Sequence, residues 1–183
     1  SFGAGLSDVY LIKTNSLGDT LWTRTYGGGS EDAAYAMSLT NDGGYIVAGY
    51  TWSFGTGGMD VYLIKTDSLG DTLWTKTYGG AGGEGASAVQ QTTDSGYIIT
   101  GTTSSFGTGG DVYLVKTNDN GDMLWTKTFG GTGMDWGRSV WQTTDGGYII
   151  TGETTSFGAG GSDVYLIKTD ANGNSGCNQF NTN

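Results

Sequence analysis

Histidine and proline are absent from the 183 residues, and cysteine occurs once. Without histidine there is no Ser-His-Asp triad, and no Gly-x-Ser-x-Gly sequence is present to seat an activated serine. The lone Cys177 leaves no disulfide framework and no Cys-x-x-Cys metal cluster. Basic residues are also scarce. Eight Lys and Arg face eighteen Asp and Glu, a net charge of -10, which argues against nucleic acid because phosphates demand clustered cations. No apolar run approaches the roughly 20 residues of a membrane-spanning helix. No segment keeps apolar residues at i, i+3, i+4 and i+7 for three turns, so neither a helix nor a membrane span is expected.

What is abundant is glycine, at 36 residues, between apolar segments of about six residues rich in Val, Ile, Tyr, Trp and Thr, which is strand and turn chemistry. Those segments repeat. Ser-Phe-Gly-x-Gly followed by Asp-Val-Tyr-Leu recurs from Ser1, Ser53, Ser105 and Ser156, and a period near 50 residues marks a propeller or solenoid array. The repeats cover residues 1–174 and leave 175–183 as a polar tail or linker.

Within the second unit, Val61–Thr66 and Thr72–Tyr78 flank a turn closed by Gly70, with Asp67 and Asp71 placed to bond its backbone. This is a hairpin. After Gly79 and Gly80, residues 86–92 and Tyr97–Thr102 form a second one around Thr93–Gly96. Four short antiparallel strands per unit is the content of one propeller blade. The small residues Ala33, Ala34, Ala36, Gly85, Ala86, Ala88, Gly137 and Ser139 suit the crowded strand nearest the axis. With that strand as A, the Tyr-Ile-Ile strand is B, Asp-Val-Tyr-Leu is C and Leu-Trp-Thr-Lys-Thr is D. The expected fold is all-β, a propeller-like array running CD, ABCD, ABCD, ABC, about three and a quarter blades of a larger propeller. Open sheet edges at both ends call for completion by more chain or by another copy.

The ordered pattern DVYLIKTDSLGDTLWTKTYGG, then small and acidic residues, then TTDSGYIITGTTSSFG, resembles the secreted bacterial seven-bladed propeller repeat family. The resemblance covers residues 1 to about 174. The tail Asn172–Asn178 is similar to segments that close such propellers in surface proteins exported by type IX secretion. Together these imply a propeller fold and an extracellular or cell-surface setting. They carry over no catalytic residue, and fold likeness does not deliver function. The chain starts within a motif, with neither an initiator Met nor a leader, and so reads as part of something longer.

The repeat also acts as a filter on candidate chemistry. Asp8, Asp60, Asp111 and Asp163 precede strand C, and Asp32, Glu84 and Asp135 precede strand A; they either bind calcium around one face or cap loops, and one carboxylate per position favours capping. Asn118–Asp122 lacks the Glu and flanking helices of an EF-hand. The loops at Gly55–Gly58, Gly107–Gly110 and Gly158–Gly161 open strands and carry no Lys, unlike a phosphate loop. Carboxylate pairs for glycoside cleavage need distinct environments, which near-identical copies do not give. The expectation is therefore no enzyme and no required cofactor.

Seven of the eight basic residues and 17 of the 23 aromatics sit at repeated positions. Outside them stand Tyr35, Tyr50, Trp52, Trp136, Trp141 and Phe180, together with Arg138. The third unit concentrates Met134, Asp135, Trp136, Arg138 and Trp141, a combination suited to stacking a sugar or anchoring a protein. The competing reading is drift between copies, with Trp141 filling a gap between blades. The expected function is a non-enzymatic scaffold for protein interaction or adhesion at a propeller face; the alternative is a lectin with one weak glycan site per blade.

Overall fold

The computed structural model describes residues 3 and 5–176; Ser1, Phe2, Cys177 and Phe180 lie outside the described residues. Thirteen strands and no helix are found among them. β1 (Val9–Thr14) and β2 (Thr20–Tyr26) form a two-stranded sheet. β3 (Asp32–Leu39), β4 (Tyr45–Thr51), β5 (Asp60–Thr66) and β6 (Thr72–Tyr78) form the first full blade. β7 (Glu84–Gln91), β8 (Tyr97–Thr103), β9 (Asp111–Thr117) and β10 (Met123–Phe129) form the second. β11 (Asp135–Gln142), β12 (Tyr148–Thr154) and β13 (Asp163–Thr169) end the array. Each strand pairs antiparallel with its sequence neighbour inside its sheet, so the order CD, ABCD, ABCD, ABC holds strand by strand.

Blades stack through their C strands. β5 and β9 are buried along their whole length, with Tyr62 and Ile64 turned to the preceding sheet and Val61 and Leu63 to the following one. Each fully buried side chain of this kind contributes about 1.5–3 kcal/mol. The A strands are innermost, with β3 lying against β7 and β7 against β11.

The CD hairpin turn is also a contact between blades. Asp67 Oδ1 accepts the backbone N–H groups of Leu69 at 2.8 Å and Asp71 at 2.9 Å, and Gly70 closes the turn at φ 78°. A Cβ on Gly70 would lie 2.8 Å from the Trp22 ring of the preceding sheet, so glycine is required there by space as well as by dihedral. Trp22 in turn meets Tyr45 edge-on at 5.9 Å, and Trp74–Tyr97 and Trp125–Tyr148 repeat the arrangement. Tyr26 donates its hydroxyl to Gly70 O at 2.6 Å, and Tyr78 donates to Gly121 O at 2.7 Å. Burial pushes the Tyr26 hydroxyl up to about 12. Phe129 occupies the third equivalent position and has no hydroxyl to give.

At the same rim the lysine of β5, β9 and β13 reaches the AB turn of its own sheet. Lys65 Nζ bonds Asp42 at 2.8 Å, Lys116 bonds Asp94 at 2.9 Å and Lys168 bonds Asp145 at 2.9 Å. The bonds from Lys65 and Thr40 hold Asp42 down at about 2. Ser95 in this turn adopts φ 67°, a left-handed conformation that Gly43 and Gly146 supply in the other units.

Candidate functional site

At the opposite end of the blades lie the BC loops and the DA connections between sheets. Here the buried carboxylates bond backbone. Glu84 accepts N–H bonds from Gly80 at 2.7 Å and Ser105 at 3.0 Å, and a hydroxyl bond from Thr103 at 2.8 Å. Asp135 accepts from the Gly131 N–H at 3.0 Å, from Ser156 Oγ at 2.6 Å and from Thr154 Oγ1. Asp60 accepts from Thr56 N and Asp111 from Thr108 N, both at 2.9 Å. Capping is therefore the role the geometry gives them. Among the described residues, no group of three or more His, Cys, Asp or Glu side chains is placed to hold a metal ion.

The carboxylates leading strands C and A of successive blades are close neighbours. Asp60 Oδ1 and Glu84 Oε2 both lie within 2.6 Å of where a Cβ on Gly79 would sit. Burial, with a smaller push from Glu84, raises Asp60 above the usual carboxylate range, and Asp111 beside Asp135 behaves alike. Burial also pushes Glu84 upward, but bonds from Ser105, Gly80 and Thr103 outweigh it and hold that group below its ordinary value.

Each A strand then carries a β-bulge. The register slips between Ala34 and Ala36, between Ala86 and Ala88, and between Gly137 and Ser139, leaving Tyr35, Ser87 and Arg138 as the extra residues. The bulge sits against a B-strand glycine with no room for a side chain; a Cβ on Gly49 would lie 1.9 Å from Ala33 O. Bulges re-aim side chains, and these three line one cavity of about 580 Å³ at the inner edge of the array. Tyr50, Trp52, Met59, Thr102 and Trp136 join them, with Gly85 and Ala86 lining its wall.

Local contacts order this mouth. Tyr35 and Tyr50 rings meet at 5.8 Å, and Tyr50 Oη donates to Glu31 Oε1 at 2.5 Å. That bond, ahead of burial, pushes the Tyr50 hydroxyl well above its ordinary value. Arg138 sits over Trp136 at 5.7 Å and bonds Glu153 at 3.1 Å, a cation–π contact reinforced by an exposed ion pair.

The chain is similar in fold to a protein of unknown function from Bacteroides caccae. The TM-score is 0.56 at 11% sequence identity, over 91% of this chain and 55% of that one. This chain thus spans a little over half the length of that protein, and the likeness is one of fold alone. No family model and no curated protein matches the sequence.

The third-unit cluster expected from sequence is divided by the structure. Trp136 and Arg138 line the mouth. Met134 is exposed at the loop rim, where it bridges Gly110. Asp135 is fully buried as a cap. Trp141 points away from the mouth, 62% exposed, on the outward face of the last sheet; its equivalent, Gln90, reaches toward the next blade and accepts the Gln142 N–H at 2.8 Å. Sequence reasoning left Tyr35, Tyr50 and Trp52 unplaced, and Met59 unnoticed. The signal for the first three was available, because they are aromatics that break the repeat.

Proposed function

We propose that this chain is a non-enzymatic propeller scaffold, of the secreted or cell-surface kind its repeats resemble, that binds a protein partner at the axial mouth. The observation carrying this reading is where the repeat fails. Glu31, Gly83 and Met134 are equivalent positions, as are Ala33, Gly85 and Trp136; Tyr35, Ser87 and Arg138; Tyr50, Thr102 and Glu153; and Trp52, Ser104 and Thr155. No set contains the same residue twice; four of the five contribute a residue to the lining of the mouth, and Glu31 of the fifth bonds Tyr50 there. Aromatic and arginine side chains in one patch are the composition of binding hot spots.

One weak glycan site per blade has less support. The mouth differs from blade to blade, and the repeated loop residues Phe54 and Phe106 pack against Tyr62 and Tyr113 of their own blades at 5.6 Å. A displayed peptide library and a glycan array, each probed with the wild-type chain and with Trp52→Ala/Trp136→Ala, test the choice. Peptide enrichment that the double variant loses is expected. Glycan binding that survives the double variant, or peptide binding indifferent to it, contradicts the proposal.

A further inference from the structure

Two sheets line the mouth with the same kinds of group, but only one of them carries a cation. On the last sheet the Arg138 guanidinium lies 5.7 Å from the Trp136 ring, and its Nε donates to Glu153 at 3.1 Å. Aromatic face, cation and carboxylate complete one another there. On the first full blade the Tyr35 and Tyr50 rings meet at 5.8 Å, Tyr50 Oη donates to Glu31 Oε1 at 2.5 Å, and the Trp52 N–H bonds Glu31 O at 2.9 Å. Three aromatic side chains and a carboxylate are gathered. Among the described residues no Lys or Arg meets any of these three rings or pairs with Glu31.

Space and exposure leave that position open. Between the two sheets the second blade contributes Gly85, Ala86, Ser87 and Thr102, all small, to the wall of the cavity. Tyr35 is 67% and Trp52 53% exposed, so their rings are accessible from solvent. Charge selects what enters. Arg138 is the one basic residue lining the cavity and is already paired with Glu153, whereas Glu31 is uncompensated and the chain carries -10 overall. An entering carboxylate meets that field with the same sign, and an entering cation meets it with the opposite one. The negative faces of the aromatic rings favour the cation as well.

We infer that the partner at this mouth, on the protein-binding reading above, presents a Lys or Arg side chain that lies against Tyr35, Tyr50 and Trp52 and pairs with Glu31. Met59 and Ala86, which also line the cavity, offer apolar surface to its methylene stem. The partner thereby supplies to the first full blade the cation that Arg138 supplies to the last sheet.

The displayed peptide library separates this inference from the reading on which it rests. Peptides whose enrichment Trp52→Ala/Trp136→Ala abolishes are expected to share a Lys or Arg at one position. A library without such enrichment removes the reading and the inference together. Enriched peptides that lack a basic residue, or carry Asp or Glu at the shared position, keep the reading and overturn the inference. In calorimetric titration of one enriched peptide, replacing its shared basic residue by Gln is expected to weaken binding about tenfold. Glu31→Gln, at an exposed position, is expected to weaken the basic peptide about threefold and leave the Gln-substituted peptide unchanged. Equal loss for both peptides, or no loss for either, overturns the pairing with Glu31.

Discussion

The two ends of each blade have been treated differently. At the rim of AB and CD turns the three units are nearly interchangeable: Thr40, Asp42 and Lys65 recur as Thr92, Asp94 and Lys116, then as Thr143, Asp145 and Lys168, with the same bonds. At the other end the capping carboxylates and Ser-Phe-Gly loops also recur, yet at the mouth positions of Tyr35, Tyr50, Trp52 and Trp136 every unit carries a different residue. Since both ends share the same strands, a side chain needed to join blades is held constant and one not so needed is free to vary. The difference separates what maintains the array from what the array displays.

The largest effect that sharpens this contrast is at an ion pair. Lys116 is buried while Asp94 is half in water, so Asp94→Ala strands a buried ammonium and is expected to cost about 2–3 kcal/mol, somewhat less than a fully buried pair. Its counterpart at the mouth, Glu153→Ala, frees an exposed guanidinium and should cost less than about 0.5 kcal/mol. Urea denaturation of both variants checks the pair, and equal losses would erase the distinction between the ends.

Acid acts with opposite sign on Asp42 at the rim and on Asp60 and Asp111 near the mouth, where the neighbouring Glu84 is held low like Asp42. Asp42 is held at about 2 against an ordinary 3.8, so its contribution is present above the ordinary value and is lost as pH falls through the lower one. Asp60 and Asp111, near the mouth, are shifted upward; they favour the fold below the ordinary carboxylate pKa and lose that contribution as pH rises through their raised values. Asp42→Asn is therefore expected to flatten the fall in melting temperature between about pH 4 and 2. Asp60→Asn is expected to leave that limb intact.

A smaller effect tests the links between blades. Tyr78→Phe removes the hydroxyl bond to Gly121 and should cost about 1 kcal/mol. Phe129→Tyr restores the unit pattern and is expected to recover a similar amount at Gly173. Differential scanning calorimetry of the two variants should move in opposite directions.

Much of the scaffold was legible before the structure. Val61–Thr66 and Thr72–Tyr78 fall within a residue of β5 and β6, because alternating turn glycines and β-branched runs are local signals repeated in each unit. The site was legible only in part. Trp136 and Arg138 stood out as departures from the repeat, yet grouping them with Asp135 and Trp141 followed sequence proximity, and neighbours on a strand point to opposite faces. Tyr35 and Trp52 come from another blade, and only the stacking of sheets brings them to Trp136. The bulges that aim Tyr35 and Arg138 depend on glycines across the strand pair at Gly49 and Gly152, a coupling that a single strand does not display.

The most direct test strips the mouth of its non-repeated aromatic and arginine side chains. Tyr35→Ser, Tyr50→Thr, Trp52→Ser, Trp136→Gly and Arg138→Ser together replace them with the residues that unit two carries at the same positions. Titration of this variant, once calorimetry shows it folded, with a peptide selected on the wild-type chain is expected to give no measurable binding while the melting temperature stays close to that of the parent. Retained affinity, or a variant that fails to fold, would contradict the claim that the non-repeated residues serve binding and the repeated ones the fold.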